Sequence, residues 1–236
     1  MPFEQIFYNV FLMLLCYVYV LIVIFASGKM DKILNVSRKN SRKFLHIMIG
    51  NLPFVIPFFT ITIFPALVAA PFILVTLFAS PYSPFKNLAR RMRGLADLTE
   101  EGHQLGLVFY AISYTCLATL FASKPYIIAA GILPMAYGDA AASLIGERWG
   151  SRKYRIAAEK SLQGSTAMFL ISFISLALGM VFFSVFYHFA YFTKIVPMLA
   201  VAAVATAVEG FSPMGFDNLS VPAFSVLVFL VYGGGF

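Results

Sequence analysis

The sequence contains few charged residues for its length. They make up 11% of the 236 residues, whereas a soluble globular domain carries about 25%. Hydrophobic residues make up 61%, and the mean hydropathy is +0.86. Because so little polar surface is available to face water, the apolar side chains are expected to face lipid. The composition predicts an integral membrane protein.

Cysteine, histidine and the common nucleotide-binding motifs are also scarce. Cys16 and Cys116 both lie in apolar runs, without metal-ligand spacing and without a disulfide framework. The sequence has no G-x-x-x-x-G-K-[ST], G-x-G-x-x-G or H-E-x-x-H motif, which argues against a P-loop, a dinucleotide-binding unit and a zinc peptidase. The three histidines, His46, His103 and His188, are scattered, so zinc catalysis is not predicted either.

The net charge of +7 could suggest nucleic-acid binding. Basic loops beside an anionic membrane surface explain the same charge in a chain of this composition. The sequence therefore predicts the lipid bilayer as a partner of its basic residues, and no nucleic acid.

Runs of about 17–25 apolar residues predict membrane-spanning helices. Two such runs occupy residues 44–85 as a helical hairpin that turns near residues 58–65. The remaining runs are 6–27, 104–123, 125–145, 164–192, 195–209 and 221–236. They predict an all-α, polytopic transmembrane bundle of about seven or eight spans. We expect one integral-membrane domain over residues 1–236, which leaves a homo-oligomer open.

Charged loops alternate with nearly uncharged ones along the chain. Segment 29–43 has six basic residues and one acidic residue, segment 86–101 has four and three, and segment 147–160 has five and two. The intervening connections contain only Lys124 and Lys194. The positive-inside rule then places the three charged loops in the cytosol and both termini outside.

Four ionisable residues lie at the predicted cytosolic ends of spans: His46, Asp139, Glu209 and Asp217. Charge near the hydrocarbon region is costly, so such residues are candidates for function. Because all four lie on the same side, the sequence allows one interfacial site that opens to the cytosol.

The stretch 138–150 has two distinct helical faces. Asp139, Ser143 and Glu147 are spaced four residues apart and share one face. A neighbouring face holds only small residues, which are Gly138, Ala142, Gly146 and Gly150. Small residues at this spacing are typical of close helix–helix packing. Packing does not account for an aspartate at that depth.

Three further clusters allow both a structural and a functional interpretation. Residues 160–165 place Lys160 and two serines at the start of a helix, which suits a phosphate group, although Ser161 could be a simple N-cap. Glu209, Asp217 and Asn218 offer oxygen ligands of the kind that Mg²⁺ prefers, although the last two could cap the final helix. The basic residues before His46 could bind phosphate or anchor the helix at the interface.

Taken together, these clusters resemble the CTP-dependent lipid-alcohol kinases, which include dolichol kinase, phytol kinase and the CTP-using diacylglycerol kinase. The matching pieces occur in that family's order: Arg42-Lys43-x-x-His46, Gly138-Asp139 through Gly146 to Gly150, Lys160-Ser161 with Gly164-Ser165, and Glu209 with Asp217-Asn218 and Pro222. They place the motif-bearing core at about residues 38–222. Gln163 departs from the pattern, which has a glutamate before the Gly-Ser pair.

The central stretch is also similar to the phosphatidate cytidylyltransferases, which share a Gly-Asp helix and a Lys-Ser/Thr element. Their H-G-G-x-x-D-R-x-D signature near the C-terminus is absent from this sequence, so the kinase resemblance is favoured. The alternatives are a cytidylyltransferase-like CDP-lipid synthase and a non-enzymatic small transporter. Against a transporter, the charge lies at one face and the chain shows no internal repeat.

The kinase resemblance implies transfer of the γ-phosphoryl group of CTP to a lipid alcohol: polyprenol or dolichol, phytol or geranylgeraniol, or diacylglycerol. The products would be a lipid monophosphate and CDP. Catalysis and Mg²⁺ binding are implied for Asp139, Glu209 and Asp217. Nucleotide and phosphate binding are implied for Arg42, Lys43, His46, Ser143, Arg148, Lys153, Lys160, Ser161, Gly164, Ser165 and Asn218. Replacement of Asp139 by Asn is then expected to abolish turnover and leave expression intact.

Overall fold

The structure is a computed structural model that describes residues 3–35, 37–87, 105–156, 159–213 and 215–234. The helices in this part of the chain are α1 (Phe3–Leu34), α2 (Arg38–Ile49), α3 (Phe64–Ala79), α4 (Gly106–Phe121), α5 (Pro125–Leu133), α6 (Asp139–Trp149), α7 (Leu162–Tyr187), α8 (Ile195–Phe211) and α9 (Asp217–Val231). A π-helical turn, Pro134–Gly138, joins α5 to α6, and 3-10 helices cover Leu52–Phe58 and Tyr191–Lys194. Strands β1 (Lys153–Arg155) and β2 (Glu159–Ser161) pair antiparallel. The predicted all-α class is confirmed.

The segment formed by α5, the π turn and α6 lies at the centre of the bundle. Ile128, Ala129 and Ala130 of α5 have no exposed surface. Helices α4, α7 and α9 pack against α5, while α2 and α7 pack against the π turn and α6. A helix that is apolar on all sides is expected at such a position, and it carries Asp139 at the junction of the π turn and α6.

Four helical segments of the described residues are long and apolar enough to cross a membrane. They are Phe3–Met30, Pro125–Trp149, Leu162–Tyr187 and Tyr191–Phe211. Three shorter apolar helices, α3, α4 and α9, have 15 or 16 residues. At 1.5 Å per residue such helices span about 24 Å, less than the roughly 30 Å of a hydrocarbon core. The count of seven or eight spans therefore stays a prediction.

The turn that was predicted near residues 58–65 is present between the first 3-10 helix and α3. The side chain of Asn9 fixes it to α1, because its amide donates to the Thr60 hydroxyl at 2.6 Å. Its carbonyl oxygen accepts the backbone N–H groups of Thr60 and Ile61 at 3.0 and 3.2 Å. The start of α1 and this turn thus lie at the same end of the bundle.

Two predicted boundaries are wrong. The basic segment 29–43 was predicted as a loop, but α1 continues to Leu34 and α2 begins at Arg38, where Ser37 accepts the backbone N–H of Asn40. The run 164–192 ends as a helix at Tyr187, because His188 adopts a left-handed conformation with φ of 51°. Most of the charged segment 86–101 lies outside the described residues.

The small face of α6 packs against α7, as the spacing of its residues predicted. A methyl group added at Gly138 would contact Ser172 and Met168, and one added at Gly146 would lie 3.0 Å from the Ser161 hydroxyl. At Gly164 on α7, the same addition would lie 2.9 Å from the carbonyl oxygen of Ala142. These small residues allow α6 and α7 to approach closely, so both helices can line one site.

We expect Gly164→Ala to destabilise the fold. The added methyl must push α7 away from backbone atoms of α6, which costs about 1–3 kcal/mol and exceeds the gain in helix propensity. Gly210→Ala on α8 is the matched control, because its methyl would meet only the Tyr154 hydroxyl, at 3.3 Å. Thermal unfolding of both variants in detergent measures the difference. An equal or higher midpoint for Gly164→Ala than for Gly210→Ala would contradict the close contact.

Candidate functional site

A charged cavity of about 570 Å³ lies at one end of the bundle, where one face of α6 lines it from Asp139 to Glu147. Helices α2, α6, α7, α8 and α9 and the β-hairpin all contribute to its wall. Its volume is within the range of small-molecule and cofactor sites, about 300–1,000 Å³. Basic and acidic side chains are equal in number among its lining residues: Lys39, Arg42, Lys43, Lys153 and Lys160 with Asp139, Glu147, Glu159, Glu209 and Asp217.

Most residues that the sequence assigned to a site lie in this wall. They are Arg42, Lys43, Asp139, Ser143, Lys153, Lys160, Ser161, Gly164, Ser165, Glu209 and Asp217. Their roles are not decided by this placement, but the fold brings together motifs that are far apart in the chain. The predicted polar face of α6, with Asp139, Ser143 and Glu147, also faces the cavity.

Two lysine–carboxylate pairs form the buried part of the cavity. Lys43 of α2 donates to Asp139, and 7% and 11% of these side chains are exposed. Lys160 of β2 donates to Glu209, whose side chain is only 3% exposed. Pairing is what makes such burial tolerable, because an uncompensated charge in an apolar interior is costly.

Two more pairs form the rim. Lys39 pairs with Glu147, and Lys153 donates to Glu159 at 2.6 Å across the hairpin. The side chains of both pairs are between about one third and two thirds exposed, so solvent screens them and each adds little stability. The ion pairs deeper in the cavity are thus less exposed than those at its rim.

Three carboxylates, of Glu209, Asp139 and Asp217, act on the ammonium group of Lys160. Burial by itself lowers the pKa of its ammonium group, but the Glu209 carboxylate, with Asp139 and Asp217 nearby, raises that pKa above the usual value. Lys160 is therefore cationic at neutral pH and remains able to bind an anion.

Asp217, which is half-buried, differs from the buried carboxylates Asp139 and Glu209. It forms no salt bridge with any residue that the structure describes. Its side chain accepts one hydrogen bond, from the backbone N–H of Asn218 at 2.9 Å. The N-cap position of α9 is occupied by Phe216, which makes no side-chain cap hydrogen bond, so Asp217 satisfies one backbone N–H of the first turn without being the N-cap residue. Asp217 is a carboxylate in the cavity wall without a cationic partner there.

The π-helical turn determines the position of Asp139. Pro134 has no backbone N–H to donate within the helix, and the chain widens to a π turn over Pro134–Gly138 just before Asp139. The Tyr137 hydroxyl in this turn donates to the Asn51 side chain at 2.7 Å. Such π turns occur frequently at functional sites, and this one rotates α6 relative to α5.

The serines at the start of α7 have structural partners as well as access to the cavity. Ser161 is the N-cap, since its hydroxyl accepts the backbone N–H of Gly164 at 3.1 Å. Ser161 is therefore an N-cap residue, and it also lines the cavity. The Ser165 hydroxyl lies 2.6 Å from the Tyr154 hydroxyl of β1. Gln163 holds the hairpin to α7 by donating to Ser151 at 2.6 Å.

Three predicted binding residues do not line the cavity. The His46 ring is buried and packs edge-on against Tyr110, with ring centroids 4.9 Å apart. Arg148 is exposed and its guanidinium carbon lies 5.1 Å from the centre of the Trp149 ring. The Asn218 side chain is directed to the carbonyl oxygen of Gly215, at 3.5 Å.

Four polar or charged lining residues were not assigned to the site from the sequence: Lys39, Glu147, Glu159 and Ser212. Helical spacing placed Glu147 on the same face as Asp139 without giving it a role, and Lys39 lies one helical turn before Lys43, so the same spacing could have assigned both to the site. Ser212 hydrogen-bonds to the Ser220 hydroxyl at 2.6 Å. Glu159 required the β-hairpin, which was predicted only as a charged loop.

The three predicted metal ligands share the cavity but do not form a metal-binding cluster. Within the described ranges, no group of three or more His, Cys, Asp or Glu side chains is arranged to hold a metal ion. Mg²⁺ in phosphoryl-transfer sites is usually held by one or two carboxylates together with phosphate oxygens and water. The carboxylates of Asp139, Glu209 and Asp217 fit an ion that binds together with a nucleotide. They do not fit a metal site whose ligands all come from the protein.

Comparison with known proteins identifies relatives of one kind. The chain is 38% identical over 146 residues to "Phytol kinase" of Synechocystis sp.. The matched stretch covers 60% of this chain and 60% of that protein. Over this stretch the chain is similar to a phytol kinase. It is also 32% identical over 146 residues to "Probable phytol kinase, chloroplastic" of Triticum aestivum and 31% identical over 148 residues to "Phytol kinase 1, chloroplastic" of Arabidopsis thaliana.

The match covers 58% and 59% of this chain in the two plant comparisons and 49% of each plant protein. The chain thus spans about half the length of the plant relatives that it matches. No protein-family model and no solved structure matches the chain. The recognition of a lipid-alcohol kinase family from the ordered motifs is confirmed by these relatives.

Proposed function

We propose that this protein is a membrane-embedded kinase that transfers the γ-phosphoryl group of CTP to the hydroxyl group of a lipid alcohol. The products are a lipid monophosphate and CDP. The observation that carries this proposal is one charged cavity at the end of an apolar helical bundle, in a chain that is similar to phytol kinases. The relatives' name favours a long-chain isoprenoid alcohol as acceptor, and CTP as donor is implied by the resemblance of the motifs.

Phosphoryl transfer depends mainly on alignment of the two substrates and on neutralisation of phosphate charge. The cavity supplies five cationic side chains for that purpose: Lys39, Arg42, Lys43, Lys153 and Lys160. The four lysines hold carboxylates in this structure. Phosphate oxygens of a bound nucleotide would replace those carboxylates as partners, so the cavity exchanges one set of ion pairs for another.

Asp139 and Glu209, which this exchange would release from their lysines, and Asp217, which forms no salt bridge with a described residue, are the carboxylates that would hold Mg²⁺. Asp139 and Asp217 would bind the ion with the nucleotide phosphates, and Glu209 would serve as a further ligand or as the base for the acceptor hydroxyl. When bound, Mg²⁺ supplies neutralisation of the phosphate charge. The start of α7, where Gly164 and Ser165 line the cavity, would favour a phosphate group through the positive end of the helix dipole.

The location of the cavity suits an acceptor that stays in the bilayer. Large apolar side chains are exposed on the outer faces of α1, α7 and α8, for example Phe7, Leu178 and Val196, which suits contact with lipid. An alcohol could present its hydroxyl group laterally to the charged end while its chain remains in the hydrocarbon. We propose a multi-pass protein whose charged end faces the cytosol, with both termini on the opposite side.

Transfer of label from a nucleotide to a lipid tests this function. Purified protein in detergent with Mg²⁺ and γ-labelled CTP is expected to give a labelled lipid monophosphate with phytol, geranylgeraniol or a polyprenol. Parallel reactions with γ-labelled ATP and with diacylglycerol determine the donor and the acceptor class. Formation of CDP should match the labelled lipid mole for mole.

Two other outcomes would reject this function. Release of pyrophosphate from CTP with a lipid phosphate, and no transfer to an alcohol, would identify a CDP-lipid synthase. Solute flux in liposomes without any turnover of nucleotide would identify a transporter.

A further inference from the structure

A second cavity, which is apolar, lies between α1, α2, α3 and α4. Its volume is about 50 Å³, and its lining includes Leu45, Ala69, Phe72, Ala111 and Tyr114. This volume counts only the positions open to the centre of a water molecule. About 10–15 Å³ of it corresponds to one water molecule, which occupies about 30 Å³ in the liquid. The cavity therefore admits roughly 100–150 Å³ of hydrocarbon, about four or five methylene-sized groups.

Helix α2 separates this apolar cavity from the charged one. Arg42 and Lys43 of α2 line the charged cavity, while Leu45 and Ile49 line the apolar cavity. His46 lies at the boundary, because it follows Lys43 by nearly one turn on the helix and its ring packs on Tyr110, a wall residue of the apolar cavity. One turn of helix thus connects the Lys43–Asp139 pair with the apolar space.

The lining of the apolar cavity suits hydrocarbon rather than a polar group. Two of the three hydroxyl groups in the wall are already bonded: that of Thr76 donates to the Phe72 carbonyl oxygen at 2.7 Å, and that of Tyr110 to the His46 carbonyl oxygen at 3.3 Å. The Tyr114 hydroxyl has no hydrogen-bond partner among the described residues. An ester or phosphate placed there would find few hydrogen-bond partners, which is costly in an apolar environment. Phe72 and Thr76 are only half-buried, so the cavity's outer side adjoins the surface that faces lipid.

We propose that this cavity binds the hydrocarbon segment next to the hydroxyl group of the lipid-alcohol acceptor. The hydroxyl would pass beside His46 into the charged cavity, and the remainder of the chain would continue between α1 and α3 into the bilayer. The inference rests on the proposed function, since it concerns the acceptor of that reaction. It favours an isoprenoid alcohol, because diacylglycerol carries ester groups within a few atoms of its hydroxyl.

Substitutions that fill the cavity test the proposal. Ala111→Leu on α4 adds three carbon atoms to the wall, and Ala69→Leu on α3 does so from the opposite side. Both residues are buried, at 6% and 7% exposure, beside existing space, so the larger side chain has room that a packed core would not offer. Ala203→Leu, on an exposed position of α8, is the matched control.

We expect kcat/KM for phytol and geranylgeraniol to fall at least tenfold in Ala111→Leu and Ala69→Leu, through a higher KM. The shift in thermal midpoint that Mg–CTP causes should be unchanged, since the charged cavity is untouched. The loss should be similar for alcohols of 10 and 20 carbons, because the segment next to the hydroxyl is affected. Wild-type kinetics in both folded variants, like those of Ala203→Leu, would overturn the proposal.

A binding measurement separates this proposal from the proposed function. A farnesol analogue with a diazirine near its hydroxyl is expected to label peptides of the four helices that line the cavity, α1 to α4, and unlabelled farnesol should compete. Ala111→Leu should abolish this labelling even if the wild-type protein transfers no phosphate. Labelling elsewhere in the chain, or equal labelling of Ala111→Leu, would overturn the acceptor site whatever the activity. If Ala111→Leu does not fold, Ala69→Leu provides the same comparison.

Discussion

Replacement of Asp217 by Asn is expected to lower kcat by about 10²-fold or more and to leave stability nearly unchanged. The carboxylate lies in the wall of the charged cavity, where it would help to hold Mg²⁺ with the nucleotide, and loss of one preorganised electrostatic contact commonly has an effect of this size. It forms no salt bridge with a described residue, so the neutral amide leaves no buried cation unpaired. The rate measured over a range of Mg²⁺ concentrations, with thermal unfolding alongside, tests both parts.

The shape of the Mg²⁺ dependence distinguishes a ligand from a merely structural residue. Asp217→Asn should need more Mg²⁺ to reach half of its own maximal rate, whereas Glu4→Gln, on an exposed position of α1, should behave as wild type. Full activity of Asp217→Asn at low Mg²⁺ would remove this residue from the proposed site.

Replacement of Asp139 by Asn is expected to abolish turnover and also to destabilise the protein. The sequence alone predicted intact expression, but the structure pairs Asp139 with Lys43 in a nearly dry part of the cavity. Removal of one partner from a buried ion pair leaves the other charge uncompensated and costs about 3–5 kcal/mol. A lower unfolding midpoint in detergent than that of Asp217→Asn is therefore expected, together with reduced yield.

The double variant Lys43→Met/Asp139→Asn separates the two effects. Without the buried ammonium group, most of the lost stability should return, while activity should stay absent because both the carboxylate and a phosphate-binding cation are missing. Recovery of activity in the double variant would show that Asp139 serves only to neutralise Lys43. Stability of Asp139→Asn equal to wild type would contradict the buried pair.

Helical periodicity was sufficient for the parts of the site that lie on one helix. Asp139, Ser143 and Glu147 share a face of α6 that lines the cavity, and the small residues of the next face pack on α7. The spacing of four residues determines both faces once α6 is a helix. The ordered motifs also indicated a resemblance to lipid-alcohol kinases, and the relatives that the chain is similar to are phytol kinases.

Local rules failed where the backbone leaves regular geometry. The π turn at Pro134–Gly138 was not predicted, nor was the hairpin of Lys153–Arg155 with Glu159–Ser161. The charge-rich sequence of 147–160 is typical of a solvated loop, but its two strands pair through the backbone and β2 contacts α7. These contacts come from the assembled bundle, which no window of sequence contains.

By itself, the sequence determined the class of this protein: an apolar, all-α chain with its charge confined to a few segments and with motifs in the order of a lipid-alcohol kinase family. That follows from composition and periodicity, because the cost of exposing apolar surface or burying charge applies wherever a residue lies in the chain. Only the tertiary structure decided which charges pair. Lys43 pairs with Asp139, 96 residues away in the chain, and Lys160 pairs with Glu209, 49 residues away. In the sequence Asp139, Glu209 and Asp217 look alike, but in the structure only Asp217 has no cationic partner among the described residues. Helix packing decides this, because burial and distance set the energy of an ion pair.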